Sequence, residues 1–407
     1  MTLQMSFLSL AAALPVAFSQ AAGPFDAKLY LHDDATATKY NAYCLDGTKG
    51  GFYYRPASSP ASRTKWKFHF MGGGWATTSE SLLSRSRGYT GSSSQWTPWL
   101  SQCLPPEYAG FYGIMSYNET SVSIIGDFNF VWFSYCDGTS QLSDLTEPLV
   151  VNGTALHLRG RAILDAHLSE LDSLFQFSST ATEVIVSGTS AGGLSTHLHA
   201  PLFAARLPAA RVVAVPDAAW WWDTLAYGSK TAHPWVEMFT PALPLWNASF
   251  NRDNPAAAAC LAAHPNDAVK CVTQPYQSAY SSVPTFHAQS LYDTANLAYC
   301  FHAPCSFSGN TPGSCSPSQV DAIQKFSTDL GDSIKGSVKT TDGYFLQSCS
   351  QHETSCRYPD YFNVMTPSGA TMNSTFTEWY TGQGPGREED VSWPKDDTCA
   401  SISHGFC

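Results

Sequence analysis

The chain has few charged side chains and no block of positive charge. Charged residues make up 14% of its 407 residues, against about 25% in an ordinary soluble protein. Asp and Glu number 33 against 22 Lys and Arg, so the net charge is −11. Basic runs, the usual electrostatic footprint of a nucleic-acid binder, are missing, and we expect no nucleic-acid partner.

Metal-binding spacing and long apolar runs are missing too. The sequence has no Cys-x-x-Cys pair, and His197 and His199 would point to different faces of a helix. We therefore predict no metal. Beyond the N-terminus, no stretch approaches the roughly 20 apolar residues that span a bilayer, so we expect no membrane span.

The N-terminus is the exception, with an apolar run that ends in small residues near Ser19 to Ala22. This pattern predicts a signal peptide over residues 1–21, followed by one domain over 22–407, although the run lacks the usual Lys or Arg. A buried N-terminal strand is the alternative. Length alone does not require a second domain, and we expect a monomer.

Cysteines and glycosylation sequons agree with secretion. The even number of cysteines, twelve, suits an oxidising, extracellular compartment. The pairs Cys300/Cys305 and Cys349/Cys356 are the local disulfides that we predict. The sequons that could carry N-linked glycans are at Asn118, Asn152, Asn247 and Asn373.

Short β-branched and aromatic runs alternate with helical patterns. This alternation predicts an α/β fold with a doubly wound, mostly parallel sheet flanked by helices. Strands are predicted at 66–70, 128–133, 183–187, 211–215, 285–290 and 344–346, and helices at 156–175 and 316–334. The long segments 79–117, 226–284 and 347–407 are predicted to be lids, binding walls or disulfide-held loops.

The most informative segment places a strand before Gly188-Thr189-Ser190-Ala191-Gly192 and a helix after it. In α/β-hydrolases this Gly-x-Ser-x-Gly turn exposes a nucleophilic serine above the sheet. The flanking glycines remove side chains that would collide with the neighbouring elements. A Gly-rich turn with a structural serine is the alternative, and we predict that Ser190 is a nucleophile.

A serine nucleophile needs a base and an acid, which this fold supplies in the order Ser, Asp, His. Asp293 follows the predicted strand 285–290, and Asp217 is the alternative acid because it follows the strand 211–215. The histidines after Asp293 are His302, His352 and His404. His352 is preferred because the predicted Cys349–Cys356 disulfide would hold its loop.

The developing oxyanion needs backbone donors. Strand 66–70 runs into Gly72-Gly73-Gly74-Trp75, a loop type that supplies N–H groups beside the serine, and Ala191 would supply another. No Gly-Lys-Ser/Thr follows these glycines, so a phosphate-binding loop is the weaker interpretation.

At these positions the chain resembles the pectin acetylesterase and Notum family of carboxylesterases, over roughly residues 27 to 360. The matching motifs, in the family's order, are Gly72-Gly73-Gly74-Trp75, Gly91-Ser92-Ser93, Tyr135-Cys136-Asp137-Gly138, Ser187 to Leu194, Tyr292-Asp293 and Ser348-Cys349-x-x-His352. The resemblance implies a disulfide-stabilised α/β-hydrolase fold with a triad of Ser190, Asp293 and His352. It also implies oxyanion donors at Gly74, Trp75 and Ala191.

The sequence thus predicts a secreted serine carboxylesterase that needs no cofactor and acts on O-acetyl esters of pectin or another cell-wall polysaccharide. The run Trp220-Trp221-Trp222 could stack on sugars, although core packing is the commoner role of such residues. One alternative is a Notum-like lipid deacylase that removes a fatty acyl group from a protein. Another is a catalytically inactive secreted binding protein.

Overall fold

A computed structural model describes residues 27–98, 113–115, 124–306, 313–356, 360–390 and 398–399. The predicted signal peptide, Asn118 and His404 lie outside these ranges.

A sheet of nine strands forms the centre of the described structure, in the order β1-β2-β4-β3-β7-β8-β9-β10-β11. β2 runs antiparallel to its two neighbours. All the remaining neighbouring pairs, from β4 to β11 in this order, are parallel. Strands β5 and β6 form a separate hairpin. The strands are β1 Lys28–Leu31, β2 Gly51–Arg55, β3 Lys65–Phe70, β4 Asn129–Phe133, β5 Leu149–Val151, β6 Thr154–Leu156, β7 Glu183–Thr189, β8 Arg211–Asp217, β9 Phe286–Ser290, β10 Gly343–Gln347 and β11 Arg387–Glu389.

Helices connect the parallel strands and cover both faces of the sheet, which confirms the predicted doubly wound α/β architecture. The helices are α1 Asp34–Tyr40, α2 Ser79–Arg85, α3 Gly160–Phe175, α4 Phe177–Thr180, α5 Ala191–Arg206, α6 Pro234–Trp246, α7 Pro255–Ala263, α8 Gln274–Gln277, α9 Thr294–Tyr299, α10 Pro317–Ser337, α11 Asp360–Asn363 and α12 Met372–Thr381. The helix predicted at 156–175 begins only at Gly160, because residues 154–156 pair with β5.

Alternation along β7 shows how the sheet is buried on two sides. Val184 and Val186 pack into a cluster with Leu164 of α3 and Phe203 of α5. Ile185 points to the other face, into a cluster that includes side chains of α12. Burying one such aliphatic side chain contributes roughly 1.5 to 3 kcal/mol, so both faces help to fix the register of this central strand.

Four disulfides lie within the described residues, and both local pairs predicted from the sequence are wrong. They join Cys44 to Cys136, Cys260 to Cys271, Cys305 to Cys315 and Cys349 to Cys399. Cys300 cannot take the predicted partner, because its thiol is buried after α9 while Cys305 pairs within its own loop. Burial raises the pKa of the Cys300 thiol to about 12.

Candidate active site

Ser190 occupies a sharp turn between β7 and α5. Its φ is +56°, a left-handed conformation that is uncommon for residues other than glycine and that stores strain. The Ser190 N–H donates to the carbonyl oxygen of Asp217, 2.9 Å away. A side chain at Gly188 would collide with the backbone of Gly192, and one at Gly192 with the carbonyl of Phe70. The glycines therefore allow the close strand and helix contact that this turn requires.

Asp293 and His352 meet at the same edge of the sheet. Nδ1 of His352 lies 2.8 Å from Oδ2 of Asp293, and the other oxygen of this carboxylate accepts the N–H of Asn296 at 2.8 Å. Asp293 is fully buried and caps the first turn of α9. Burial alone would lower the pKa of His352, but the carboxylates of Asp293, Glu353 and Asp217 raise it to about 9.

Asp217, the alternative acid, contacts the loop after His352 instead of its ring. Its Oδ2 accepts the N–H of Thr354 at 2.7 Å and the N–H of Ser355 at 2.6 Å. Burial raises the pKa of this carboxyl to about 6, although these hydrogen bonds oppose the change. This contact could not be predicted from the sequence, because Asp217 lies more than a hundred residues before the loop that it holds.

The histidine loop is held by different bonds from those predicted. Cys349, three residues before His352, is joined to Cys399 and not to Cys356. Beyond His352, the carboxylate of Asp217 binds the backbone. The loop is thus attached on both sides of the histidine by a distant disulfide and a buried carboxylate, and not by the predicted Cys349–Cys356 bond.

Ser190 and His352 line one cavity of about 330 Å³. The described residues give Ser190 Oγ no hydrogen-bond partner; such contacts are often long before a substrate binds. Other residues that line the cavity are His69, Met71, Gly72, Gly73, Gly74, Tyr89, Met115, Trp132, Thr189, Ala295, Tyr299, Glu353 and Cys356.

Glu353 brings a further carboxylate into this cavity, and sequence reasoning missed it. A Cβ added at Gly72 would lie 3.1 Å from Glu353 Oε1 and 3.1 Å from Ser190 Cβ, so both groups approach the same point. Glu353 has a φ of +70°. No Lys, Arg or His of the described residues forms an ion pair with it. Its position next to His352 in the sequence was the only available signal.

The predicted oxyanion donors have their hydrogen-bonding capacity unused, and Gly74 lines the cavity together with Ser190. Within the described residues, the N–H groups of Gly74, Trp75 and Ala191 donate to no protein atom. Gly73 and Gly74 have φ values of +134° and +64°, which glycine adopts without the usual steric cost.

The remaining predicted residues lie away from the serine or in the core. Trp220 and Trp221 are buried and Trp222 is half-buried, so this run is core, with Trp221 stacked on Trp235 at 5.4 Å. His302 is exposed on a loop. Asn152 and Asn247 are exposed and Asn373 is half-buried.

The described residues contain no group of three or more His, Cys, Asp or Glu side chains arranged to hold a metal ion. Within the same part of the chain, no helix combines the length and apolarity that a bilayer crossing requires.

A family model described as pectinacetylesterase matches residues 22–400. The chain belongs to the pectinacetylesterase family. Among curated proteins, members of this family include pectin acetylesterase 5 of Arabidopsis thaliana, 24% identical over 91% of this chain and 84% of that protein. The palmitoleoyl-protein carboxylesterase Notum of Schmidtea mediterranea is 28% identical over 77% of this chain and 56% of that protein.

The chain also shares its fold with a solved structure, that of the Wnt deacylase Notum from Drosophila. The TM-score is 0.72 at 22% sequence identity, over 91% of this chain and 98% of that one. This likeness confirms the predicted α/β-hydrolase fold. The two curated relatives named above are both named as esterases, which supports esterase activity for this member of the family.

Proposed function

We propose that this member of the pectinacetylesterase family is a secreted serine carboxylesterase that hydrolyses O-acetyl esters of pectin or another cell-wall polysaccharide. The observation that carries the proposal is the convergence of Ser190, at a strained turn, with the hydrogen-bonded pair His352 and Asp293 at one cavity. Nucleophile, base and acid follow in the order that α/β-hydrolases use.

In the proposed reaction, His352 Nε2 accepts the Ser190 proton as Oγ bonds to the ester carbonyl carbon. The carbonyl electron pair moves onto oxygen, which accepts hydrogen bonds from Gly74, Trp75 and Ala191. The intermediate collapses, the alcohol leaves with the proton from His352, and acyl-Ser190 remains. Water activated by His352 then releases the acid, while Asp293 fixes the imidazole tautomer and stabilises the imidazolium.

Cavity chemistry favours a short acyl group. Glu353 and the buried His69 line the cavity beside Ser190, and a long alkyl chain packed against these polar groups would deprive them of solvent. An acetyl group avoids this cost. Tyr89, Trp132 and Tyr299 in the same lining offer aromatic surface for a sugar ring. The disulfides suit secretion.

The test is hydrolysis of matched acetyl, octanoyl and hexadecanoyl 4-nitrophenyl esters, together with acetate release from acetylated pectin and acetylated xylan. Ser190→Ala is the control, and it should abolish every activity while its thermal unfolding stays unchanged. Preference for acetyl with acetate release supports the proposal. Preference for the hexadecanoyl ester would indicate a Notum-like lipid deacylase. Activity in Ser190→Ala would rule out the serine mechanism, and a lack of activity on every substrate would favour a binding protein.

A further inference from the structure

Two carbonyl groups of the glycine loop are anchored by side chains outside the triad. Arg85 Nη1 donates to the carbonyl oxygen of Gly73 at 2.8 Å, and the Tyr135 hydroxyl donates to that of Gly74 at 2.8 Å. The Arg85 guanidinium also lies over the Tyr135 ring, 5.7 Å from its centre. Arg85 forms no ion pair with a carboxylate of the described residues, so its strongest polar contact is with this loop.

These anchors determine where the proposed oxyanion donors point. In a trans peptide, the carbonyl of one residue and the N–H of the next point in opposite directions. Fixing the Gly73 carbonyl therefore orients the Gly74 N–H, and fixing the Gly74 carbonyl orients the Trp75 N–H. Because glycine is permissive at positive φ, the loop's own steric preferences would not hold either peptide in one orientation.

Ser140 connects the same loop to the helix that follows the nucleophile. Its hydroxyl accepts from the indole Nε1 of Trp75 at 2.7 Å and donates to the carbonyl oxygen of Ala191 at 2.7 Å. Its N–H donates to the Tyr135 hydroxyl at 3.1 Å. Ser140 is fully buried and has a φ of +56°, so the surrounding structure holds it in a conformation that a serine rarely adopts.

We propose that Arg85 and Tyr135 are positioning residues that hold the peptide groups carrying the Gly74 and Trp75 N–H donors, and that Ser140, through the Trp75 indole and the Ala191 carbonyl, ties this loop to the helix turn whose first N–H is that of Ala191. The inference rests on the proposed function, because it assigns these three groups to the oxyanion. The network aligns the donors before the substrate arrives, so little reorganisation is needed when negative charge develops on the carbonyl oxygen.

The test compares Tyr135→Phe with Tyr54→Phe. Each substitution removes a buried hydroxyl and the hydrogen bond that it donates, and Tyr135→Phe also removes the acceptor of the Ser140 N–H. Tyr54 donates to Asn129 at 3.0 Å, at the opposite end of the sheet from the carboxyl edge that holds Ser190. Turnover of 4-nitrophenyl acetate and inhibition by an alkyl boronic acid, which forms a tetrahedral adduct with the serine, are measured for both. Thermal unfolding is measured alongside.

Losing a whole oxyanion donor costs roughly 10²- to 10³-fold in kcat, and a loosened donor should cost about 10-fold. We expect the kcat of Tyr135→Phe to fall about 10-fold with KM unchanged. Its affinity for the boronic acid should fall by a similar factor. Arg85→Met should behave similarly and Arg85→Lys, which keeps a donor for the Gly73 carbonyl, should recover most of the rate.

The inference is overturned if Tyr135→Phe matches Tyr54→Phe in kcat and boronic acid affinity, or if its loss is confined to KM. A Tyr135→Phe protein that unfolds far earlier than Tyr54→Phe, with Arg85→Lys no better than Arg85→Met, would also overturn it by showing a purely structural role. These results differ from a failure of the proposed function, in which Ser190→Ala itself would remain active.

Discussion

Asp217 and Asp293 are both fully buried, and they follow adjacent parallel strands at the same edge of the sheet. Asp217 is the last residue of β8, opposite Ala288 of β9, whereas Asp293 lies five residues beyond Ala288 in its own chain segment. That difference in position decides what each carboxylate contacts. Asp293 binds the imidazole of His352, and Asp217 binds the backbone of the two residues at positions 354 and 355. The two residues thus share their residue type and their edge of the sheet, but their carboxylates bind different partners.

The largest effect should come from Asp293→Asn. The amide would present an N–H or a neutral oxygen to Nδ1, so the imidazole would lose its correct tautomer and its counter-charge during turnover. By analogy with other triads we expect kcat to fall by about 10⁴-fold. Steady-state kinetics with 4-nitrophenyl acetate measure it. A larger loss in Asp217→Asn than in Asp293→Asn would reverse the two roles.

Asp217→Asn should have a smaller effect on turnover, about 10²-fold, because a small misplacement of His352 costs about that much. Asp342→Asn is the matched control. Asp342 is also buried and accepts two backbone N–H groups, from Thr285 at 3.0 Å and Lys339 at 2.9 Å, but it lies at the other end of β9. If both variants lose the same activity, Asp217 is only a structural carboxylate.

Stability measurements sharpen the same comparison. Burial raises the pKa of Asp217 from 3.8 to about 6, so the folded protein holds this proton more tightly than the unfolded chain. The ionisation of Asp217 therefore lowers the free energy of unfolding as the pH rises between those values. Asp217→Asn lacks this contribution. Its thermal unfolding midpoint should therefore fall less between pH 4 and pH 6 than that of the unsubstituted protein. An identical pH dependence in both proteins would contradict the raised pKa.

Glu353→Gln should produce the smallest effect, a change in pH dependence. With the pKa of His352 at about 9, kcat/KM should rise with pH and level off above that value, because only the neutral imidazole accepts the serine proton. Removing the Glu353 carboxylate removes one interaction that favours the imidazolium, so the midpoint should move to lower pH. We therefore expect a severalfold gain in kcat/KM at pH 7. An unmoved midpoint would show that Glu353 does not act on His352.

Much of the fold could be predicted because its strands carry strong local signals. All six predicted strands overlap observed ones, and the turn at Ser190 follows from a glycine motif of fixed length. β11 escaped prediction because Arg387-Glu388-Glu389 has no apolar alternation and pairs at the sheet edge. Strands β1 and β2, which form an antiparallel pair at the other end of the sheet, were not predicted either.

The structure brings Ser190, Asp293 and His352 to one end of the sheet, as their order in the chain suggested. Pairwise contacts between distant segments could not be read from the sequence. Cys349 and Cys399 are 50 residues apart, while the nearer Cys356 is the partner that spacing favoured. The contacts of Arg85 and Tyr135 with the glycine loop depend on backbone carbonyls, which every residue has and which therefore leave no mark in the sequence.

The bond between Cys349 and Cys399 makes the candidate base depend on a cysteine 50 residues further along the chain. During synthesis the histidine loop emerges before its partner cysteine, so this covalent attachment forms only after Cys399 has been made and only where the surroundings are oxidising. Protein made in a reducing cytosol would lose the disulfide and keep only the noncovalent contacts of the loop, such as those with Asp217. The choice of expression host and the integrity of the segment that carries Cys399 should therefore affect measured activity even where the overall fold is intact.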